Sequence, residues 1–295
     1  HHPLMVADRI VLLDHLTRGR VNLGLGPGGH LSDAAMLGIP AAEIRDRMEA
    51  ALDVLLHLLT SSEPITARGE GWEMHDAVLQ LRPFQRPHPP LAIPSLESPF
   101  GMALAGRIGA APLSLFFGSA DLAAQWAICE QAAAEAGRVA SRDDWRIVVP
   151  VHLAETRAQA IEEVRAGGGR WMFDYVQALT GRPAAVPGPP EMAVDQMIEA
   201  GSWVVGTPDD LIAFLRELQE RTGGFGTFLV WGHEWAGPEA TLRSYELLAR
   251  HVMPVMQGSL RGLDASGDMA RAKASVLHEQ RVAGVEAAQR RHDGQ

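Results

Sequence analysis

The sequence predicts an α/β fold of the TIM (β/α)8-barrel type, and three observations carry that expectation. Short apolar runs such as Leu91-Ala92-Ile93-Pro94-Ser95 and Ile147-Val148-Val149-Pro150-Val151 alternate with longer stretches of helical periodicity, as in a parallel sheet buried on both faces. Glycine turns and serine- or threonine-led helix starts follow those runs, at the strand ends where a barrel gathers its loops. At 295 residues the chain can bury a large core, and a closed barrel is an economical way to cover every strand.

Residues 3–17 read as a helix: Pro3 takes a tolerated first position, Val6, Ile10, Leu13 and Leu16 recur on one face expected to be buried, and Gly19 ends it. Arg20 to Gly26 is a short strand, after which Pro27-Gly28-Gly29 lets backbone approach a ligand closely. The letters Gly24-x-Gly26-x-x-Gly29 fit a dinucleotide fingerprint, but its context is missing. Pro27 interrupts the turn, residues 31–40 read as a loop, and Glu43 and Asp46 fall in the next helix instead of ending a second strand.

A helix at 41–59 turns Met48, Leu52, Leu55, Leu56 and Leu59 inward, and an excursion at 61–90 holds a small hairpin and a proline-rich linker. Strand 91–95 meets Ser98-Pro99, where serine is expected to cap helix 99–108. Strand 111–117, helix 120–137 capped by Ser119, and strand 145–153 follow, the last running into Thr156-x-x-Gln159, a capping box. An insertion at 167–203 opens with Gly167-Gly168-Gly169 and carries Trp171, Phe173 and Tyr175 before a Pro/Gly tract. It reads as a lid over the barrel mouth, with a disordered surface excursion as the alternative. Thr207-Pro208-Asp209-Asp210 starts helix 208–221, strand 225–231 follows, and helix 238–252 is expected to end at Pro254. Residues 1–257 thus form the barrel unit, and 258–295 a helical tail at an edge or subunit contact.

A net charge of −10 without a basic block argues against nucleic acid and anionic membrane as partners. The single cysteine, Cys129, fits a reducing cytoplasm, and no apolar run approaches the roughly 20 residues of a membrane span. No HExxH, Cys/His ligand spacing or GxSxG elbow occurs, so neither a metal nor a serine nucleophile is expected. The chemistry must be borrowed from a cofactor.

The segment HPLMVADRIVLLDHLTRGRVNLGLGPGG resembles the third helix and fourth strand of the bacterial luciferase-like flavin monooxygenases, and SDAAMLGI with RDRMEAALDVLL continues the likeness. SPFGMALAGRIG, HLAETRAQA, GTPDDLIAFLRELQERTGGFGTFLV and WAGPEATLRSYELLARHVMPVM resemble the branch that includes limonene monooxygenase-like enzymes, so the likeness runs from His2 to about Met256. It implies a barrel whose first three strands are absent from this chain. It also implies a cytoplasmic homodimer that takes reduced FMN from a separate flavin reductase and uses O2 on a small apolar, terpene-like substrate. Hydride transfer with F420 on the same fold, and a non-catalytic truncated homologue, are the alternatives.

Strand ends after Gly26, Ser95, Phe117, Leu153 and Trp231 would share one mouth. Free amides at the Ser98 helix start, close approach at Gly101, and amides from Gly26, Gly28 and Gly29 suit a phosphate. The resemblance points to the same place: Ser98, Gly101 and Met102 match the segment that holds the flavin phosphate, with Glu97 beside it, while Pro27 stands where luciferases often carry a phosphate-pairing arginine. Candidate proton donors or acceptors are His2, beside the family's flavin ring site, His152 near a strand end, and His233 after the last strand; His30 is a weaker candidate. For each of these the bland alternative is a structural histidine. Met36, Phe116, Phe117, Met172, Phe173 and Trp231 are candidate wall residues, or plain core.

Overall fold

The computed structural model describes residues 1–96, 98–115, 121–178 and 187–294. Helix α1 (Pro3–Thr17) leads to strand β1 (Leu23–Gly24), helix α2 (Leu31–Met36) and helix α3 (Ile44–Thr60), after which β2 (Ile65–Gly69) and β3 (Trp72–Ala77) form an antiparallel hairpin. The chain then alternates β4 (Leu91–Ser95), α4 (Phe100–Ile108), β5 (Ala111–Leu115), α5 (Leu122–Glu135), β6 (Arg146–Leu153) and α6 (Arg157–Arg170). A π-helical turn (Trp171–Gln177), α7 (Ala193–Glu199), β7 (Val204–Gly206), α8 (Pro208–Thr222), β8 (Thr227–Trp231) and α9 (Pro238–Leu247) complete the body.

Parallel pairing runs β1-β4-β5-β6-β8, a curled sheet that makes part of a barrel. Register sorts its side chains. Leu91, Ile93, Ile147, Val149, Phe228 and Val230 share one face and join the principal core with Leu104, Trp126, Leu211 and Leu215 of the outer helices. Gly24, Ala92, Leu113, Val148 and Leu229 alternate onto the inner face. Arg146 Nη2 reaches Asn22 Oδ1 at 3.4 Å although β1 and β6 are not neighbours.

β6 changes partner along its length. Its first half pairs β8, with Val148 opposite Leu229, and its last three residues pair β7, with Leu153 opposite Gly206. Around that upper half lies a second, smaller core of Val164, Met172, Val194, Met197, Trp203 and Trp235, drawn from the 157–206 region and the loop after β8.

Four local expectations are corrected. Residues 31–36 are helical: His30 enters extended and Asp33 lies in the first turn, but the helix buries nothing, so it carries no apolar periodicity. The buried stripe of α1 is Pro3, Ala7, Ile10, Val11 and Asp14, with Leu13 49% and Leu16 73% exposed. Asp14 faces inward because it accepts from the Gln85 amide nitrogen at 2.9 Å and from Gln85 Nε2 at 2.8 Å, tying the linker before β4 to the helix. Gly167-Gly168-Gly169 do not break the helix: a Cβ on Gly167 would lie 2.1 Å from the Trp235 carbonyl oxygen, and one on Gly169 2.4 Å from that of Pro190. These glycines permit close packing. Pro254 does not end its helix, since a π-helical turn at Leu248–Val252 is followed by a further helical segment, Met253–Met256, with the proline in its first turn.

Helices at Arg261–Ala272 and Ala274–Asp293 follow, and neither buries a residue. No helix among the described residues is long and apolar enough to cross a membrane.

Candidate active site at the sheet's carboxyl edge

The glycine turn and the α4 start meet at Pro94. The Leu25 amide continues the β1–β4 ladder to the Ala92 carbonyl at 2.9 Å, and a Cβ on Gly26 would lie 3.0 Å from Pro94 Cγ. On the other side of the same residue, a Cβ on Gly101 would lie 2.3 Å from the Pro94 carbonyl oxygen and 2.9 Å from Ser95 Cα. Only glycine lets the first turn of α4 sit against the end of β4. Gly28 has φ +94°, and nothing stands within 4 Å of a Cβ there or at Gly29, so the turn borders open space.

Ser98 does not cap α4. The N-cap is Pro99, no side chain satisfies the first amides, and Ser98 Oγ instead accepts from Arg45 Nη2 at 3.4 Å. Arg45, on the first turn of α3, also lies over the Phe100 ring at 5.5 Å. A guanidinium therefore stands beside uncapped helix amides whose dipole end is positive. Ser95 Oγ, buried at the end of β4, has no protein partner. Gln125 fixes the approach: its Nε2 donates to the Leu96 carbonyl at 3.2 Å while its Oε1 accepts from Ser114 Oγ at 3.1 Å. Met102 is a core side chain, fully buried with Sδ 3.8 Å from Ser114 Oγ, so only its backbone amide belongs to this corner. Glu97, Phe116, Phe117 and Ser119 lie outside the described residues; α5 is capped by Asp121, which accepts from the Ala124 amide at 3.0 Å.

The three candidate histidines separate. His2 sits at the N-cap of α1, its Nε2 3.0 Å from the Glu73 carbonyl and its ring edge-on to Trp72 of the outer hairpin. His152 and His233 come together, ring centroids 6.3 Å apart. His152 is fully buried and its Nε2 bonds Glu163 Oε2 of α6 at 2.8 Å. His233 Nε2 lies 3.0 Å from the Val151 carbonyl oxygen, which can only accept, so Nε2 carries the proton and Nδ1 is the acceptor. That Nδ1 is buried with no protein partner. Burial pushes His233 down to about 4, and the Val151 carbonyl opposes this only in part. The imidazole is neutral near pH 7.

Behind it stands a wall of rings. His233 stacks on Trp235 at 3.7 Å and Trp235 on Trp203 at 3.8 Å. Trp171 meets Trp203, Trp235 and, at 5.7 Å and 82°, Trp231 at the end of β8. Of the candidate wall residues, Trp231 and Phe173 are half-buried, Met172 is interior to the second core, and Met36 is 79% exposed and lines nothing. Tyr175 extends from the π-helical turn to His30, its hydroxyl 3.2 Å from Nε2.

Sequence reasoning did not single out Arg45, Glu163 or Trp203. Arg45 and Glu163 sit in charged helical segments where nothing local separates a site residue from a solvated one. Among the described residues no group of three or more His, Cys, Asp or Glu could hold a metal ion. Burial pushes the Cys129 thiol up to about 11, which leaves it protonated.

Residues 1–224 match the family described as luciferase-like monooxygenase. The chain belongs to that family. It is 46% identical to 4-hydroxyprotoasukamycin monooxygenase of Streptomyces nodosus subsp. asukaensis, over 90% of this chain and 73% of that protein. It is 39% identical to limonene 1,2-monooxygenase of Rhodococcus erythropolis, over 100% of this chain and 76% of that protein. Among solved structures, the FMN complex of the oxygenating constituent of Pseudomonas putida 3,6-diketocamphane monooxygenase, a type II Baeyer-Villiger enzyme, superposes with a TM-score of 0.70 at 26% identity, covering 86% of this chain and 76% of that one. The chain is accordingly an oxidoreductase of the luciferase-like type, and its curled parallel sheet is part of that family's TIM barrel.

Proposed function

We propose that this luciferase-like protein is a cytoplasmic, homodimeric flavin-dependent monooxygenase that receives reduced FMN from a separate reductase and uses O2 to oxygenate a small apolar, terpene-like substrate. The observation that carries the cofactor half is the convergence on Pro94 of an open glycine turn and an uncapped helix start with Arg45 alongside. A phosphate monoester fits this donor set. Its partners would be the first amides of α4, the Gly28 and Gly29 amides, Ser98 Oγ and the Arg45 guanidinium, with the partnerless Ser95 hydroxyl close by.

Reduced flavin, when bound, supplies the electrons with which O2 is activated. The chain's own residues hold, orient and exclude water. Val148 and Leu229 make the inner face apolar above the Arg146–Asn22 contact at its base, and Trp231 and Trp171 wall its open end. His233, neutral, offers Nδ1 as a hydrogen-bond acceptor to a bound molecule while its Nε2–H stays on the Val151 carbonyl, and the His152–Glu163 bond holds the neighbouring ring. Residues 258–295 serve as a tail at the subunit contact.

The test is a titration with FMN and with F420, followed by oxygen uptake with reduced FMN and limonene. FMN binding with substrate-dependent oxygen uptake is expected. Tight F420 binding without oxygen uptake transfers the site to hydride chemistry, and binding of neither marks a non-catalytic chain.

A further inference from the structure

The proposed cofactor turn and the aromatic wall are joined by one side-chain contact. Tyr175 lies on the π-helical turn Trp171–Gln177, and its hydroxyl is 3.2 Å from Nε2 of His30, the residue directly after Gly28-Gly29. The two rings also meet edge to face at 5.9 Å and 68°. On its other side Tyr175 stacks on Trp171 at 6.4 Å, and Trp171 meets Trp231 at the end of β8. A path of touching groups therefore runs from the glycine turn through His30, Tyr175 and Trp171 to Trp231.

The turn that carries Tyr175 cannot drift independently of the wall. Glycines 167 to 169 seat α6 directly on Trp235, Trp203 and Pro190, so the helix and its π-helical extension are based on the same aromatic cluster. A π-helical turn widens the helix by about one residue per turn and is often kept where a side chain must be aimed. Here it aims Tyr175 at the glycine turn while Trp171 stays in the wall.

We infer that Tyr175 is a positioning residue coupling the two halves of the site: a flavin held at the glycine turn steadies His30, hence Tyr175 and Trp171, and so completes the substrate wall before substrate arrives. By linkage the effect is reciprocal, so an apolar molecule against Trp171 and Trp231 tightens the hold on flavin. This rests on the flavin reading given above.

The experiment compares the wild-type chain with Tyr175→Phe, which removes the hydroxyl and keeps the ring, and with His30→Ala. Amide hydrogen exchange over residues 28–32 and 171–177 is measured without ligand, and FMN dissociation is measured with and without limonene. The expected results are faster exchange in both segments of Tyr175→Phe, FMN release about three- to tenfold faster than wild type, the range of one exposed hydrogen bond, and loss of the slowing by limonene seen in wild type. The double variant should behave as either single one. Faster exchange confined to 171–177, or FMN release and limonene response unchanged by Tyr175→Phe, overturns the coupling alone. A wild-type chain that takes up no FMN overturns the flavin reading and the coupling with it.

Discussion

The two sides of the mouth are built from different materials. Around Pro94 the site is backbone: free amides, glycines whose absent side chains make room, and one exposed arginine. Around the end of β6 it is side chain: a fully buried histidine bonded to Glu163, a neutral imidazole stacked on tryptophan, and four indoles linked through Trp171. Backbone donors at a helix start can hold an anion of any origin, whereas stacked rings select for shape and exclude water. On the proposed function, anchoring falls to the first side and selection of the substrate to the second.

The largest effects should come from filling the glycines on each side. Gly101→Ala and Gly167→Ala each place a methyl against a carbonyl oxygen, 2.3 and 2.1 Å away, and each should lower the unfolding free energy by about 3 kcal/mol in urea denaturation. Only the first should lower FMN affinity by about a hundredfold, since only it displaces the anchoring amides. Equal FMN losses in both would erase the proposed division.

Next is the protonation of His233. Its folded pKa of about 4 lies below the unfolded value near 6.5. Between these values the unfolded chain binds the extra proton, so stability is full above pH 6.5 and falls as pH drops toward 4. The loss from this one group should reach about 2 to 3 kcal/mol near pH 4.5. His233→Phe keeps a ring against Trp235 and should flatten that slope when urea denaturation is compared at pH 7 and 4.5. An unaltered slope would show that His233 is protonated in the fold.

Arg45→Gln should weaken FMN binding by about tenfold, a modest figure because the guanidinium is exposed and screened. It should also remove most of the salt dependence measured by titration at two ionic strengths. The smallest contrast concerns helix starts. Thr156, whose Oγ1 accepts from the Gln159 amide at 3.2 Å, should cost about 1 kcal/mol when changed to alanine. Ser98, which caps nothing, should cost less than about 0.5 kcal/mol in thermal unfolding while still reducing FMN affinity.

The backbone geometry of the first side was legible in the sequence because its signals are local. A glycine pair after an apolar run and Ser-Pro-x-Gly after another specify where backbone turns and approaches, whatever lies elsewhere. Even there the serine's role was misread, since its partner, Arg45, arrives from a helix far away in the chain. The aromatic side was readable only as a list of rings. Its geometry depends on contacts such as Gly167 with Trp235 and His152 with Glu163, which no spacing announces. Asp14 shows the same limit, because a buried carboxylate in a leucine-rich helix makes sense only once Gln85 is seen beside it. The helix start at Thr207 forms as expected and is a complete capping box, with Thr207 and Asp210 satisfying each other's backbone amides, whereas the box expected at Thr156 is half made, because Gln159 Nε2 donates to Glu163 Oε1 instead of returning to the cap.

The divided pairing of β6 makes one strand serve two cores. Residues Arg146 to Pro150 pair β8 in the barrel sheet, while Val151 to Leu153 pair β7, whose Val205 packs with Val164, Met172, Trp203 and Trp235 in the second core. On the proposed function, substitutions in that second core should change substrate preference, and through Tyr175 and His30 they should also be felt at the glycine turn.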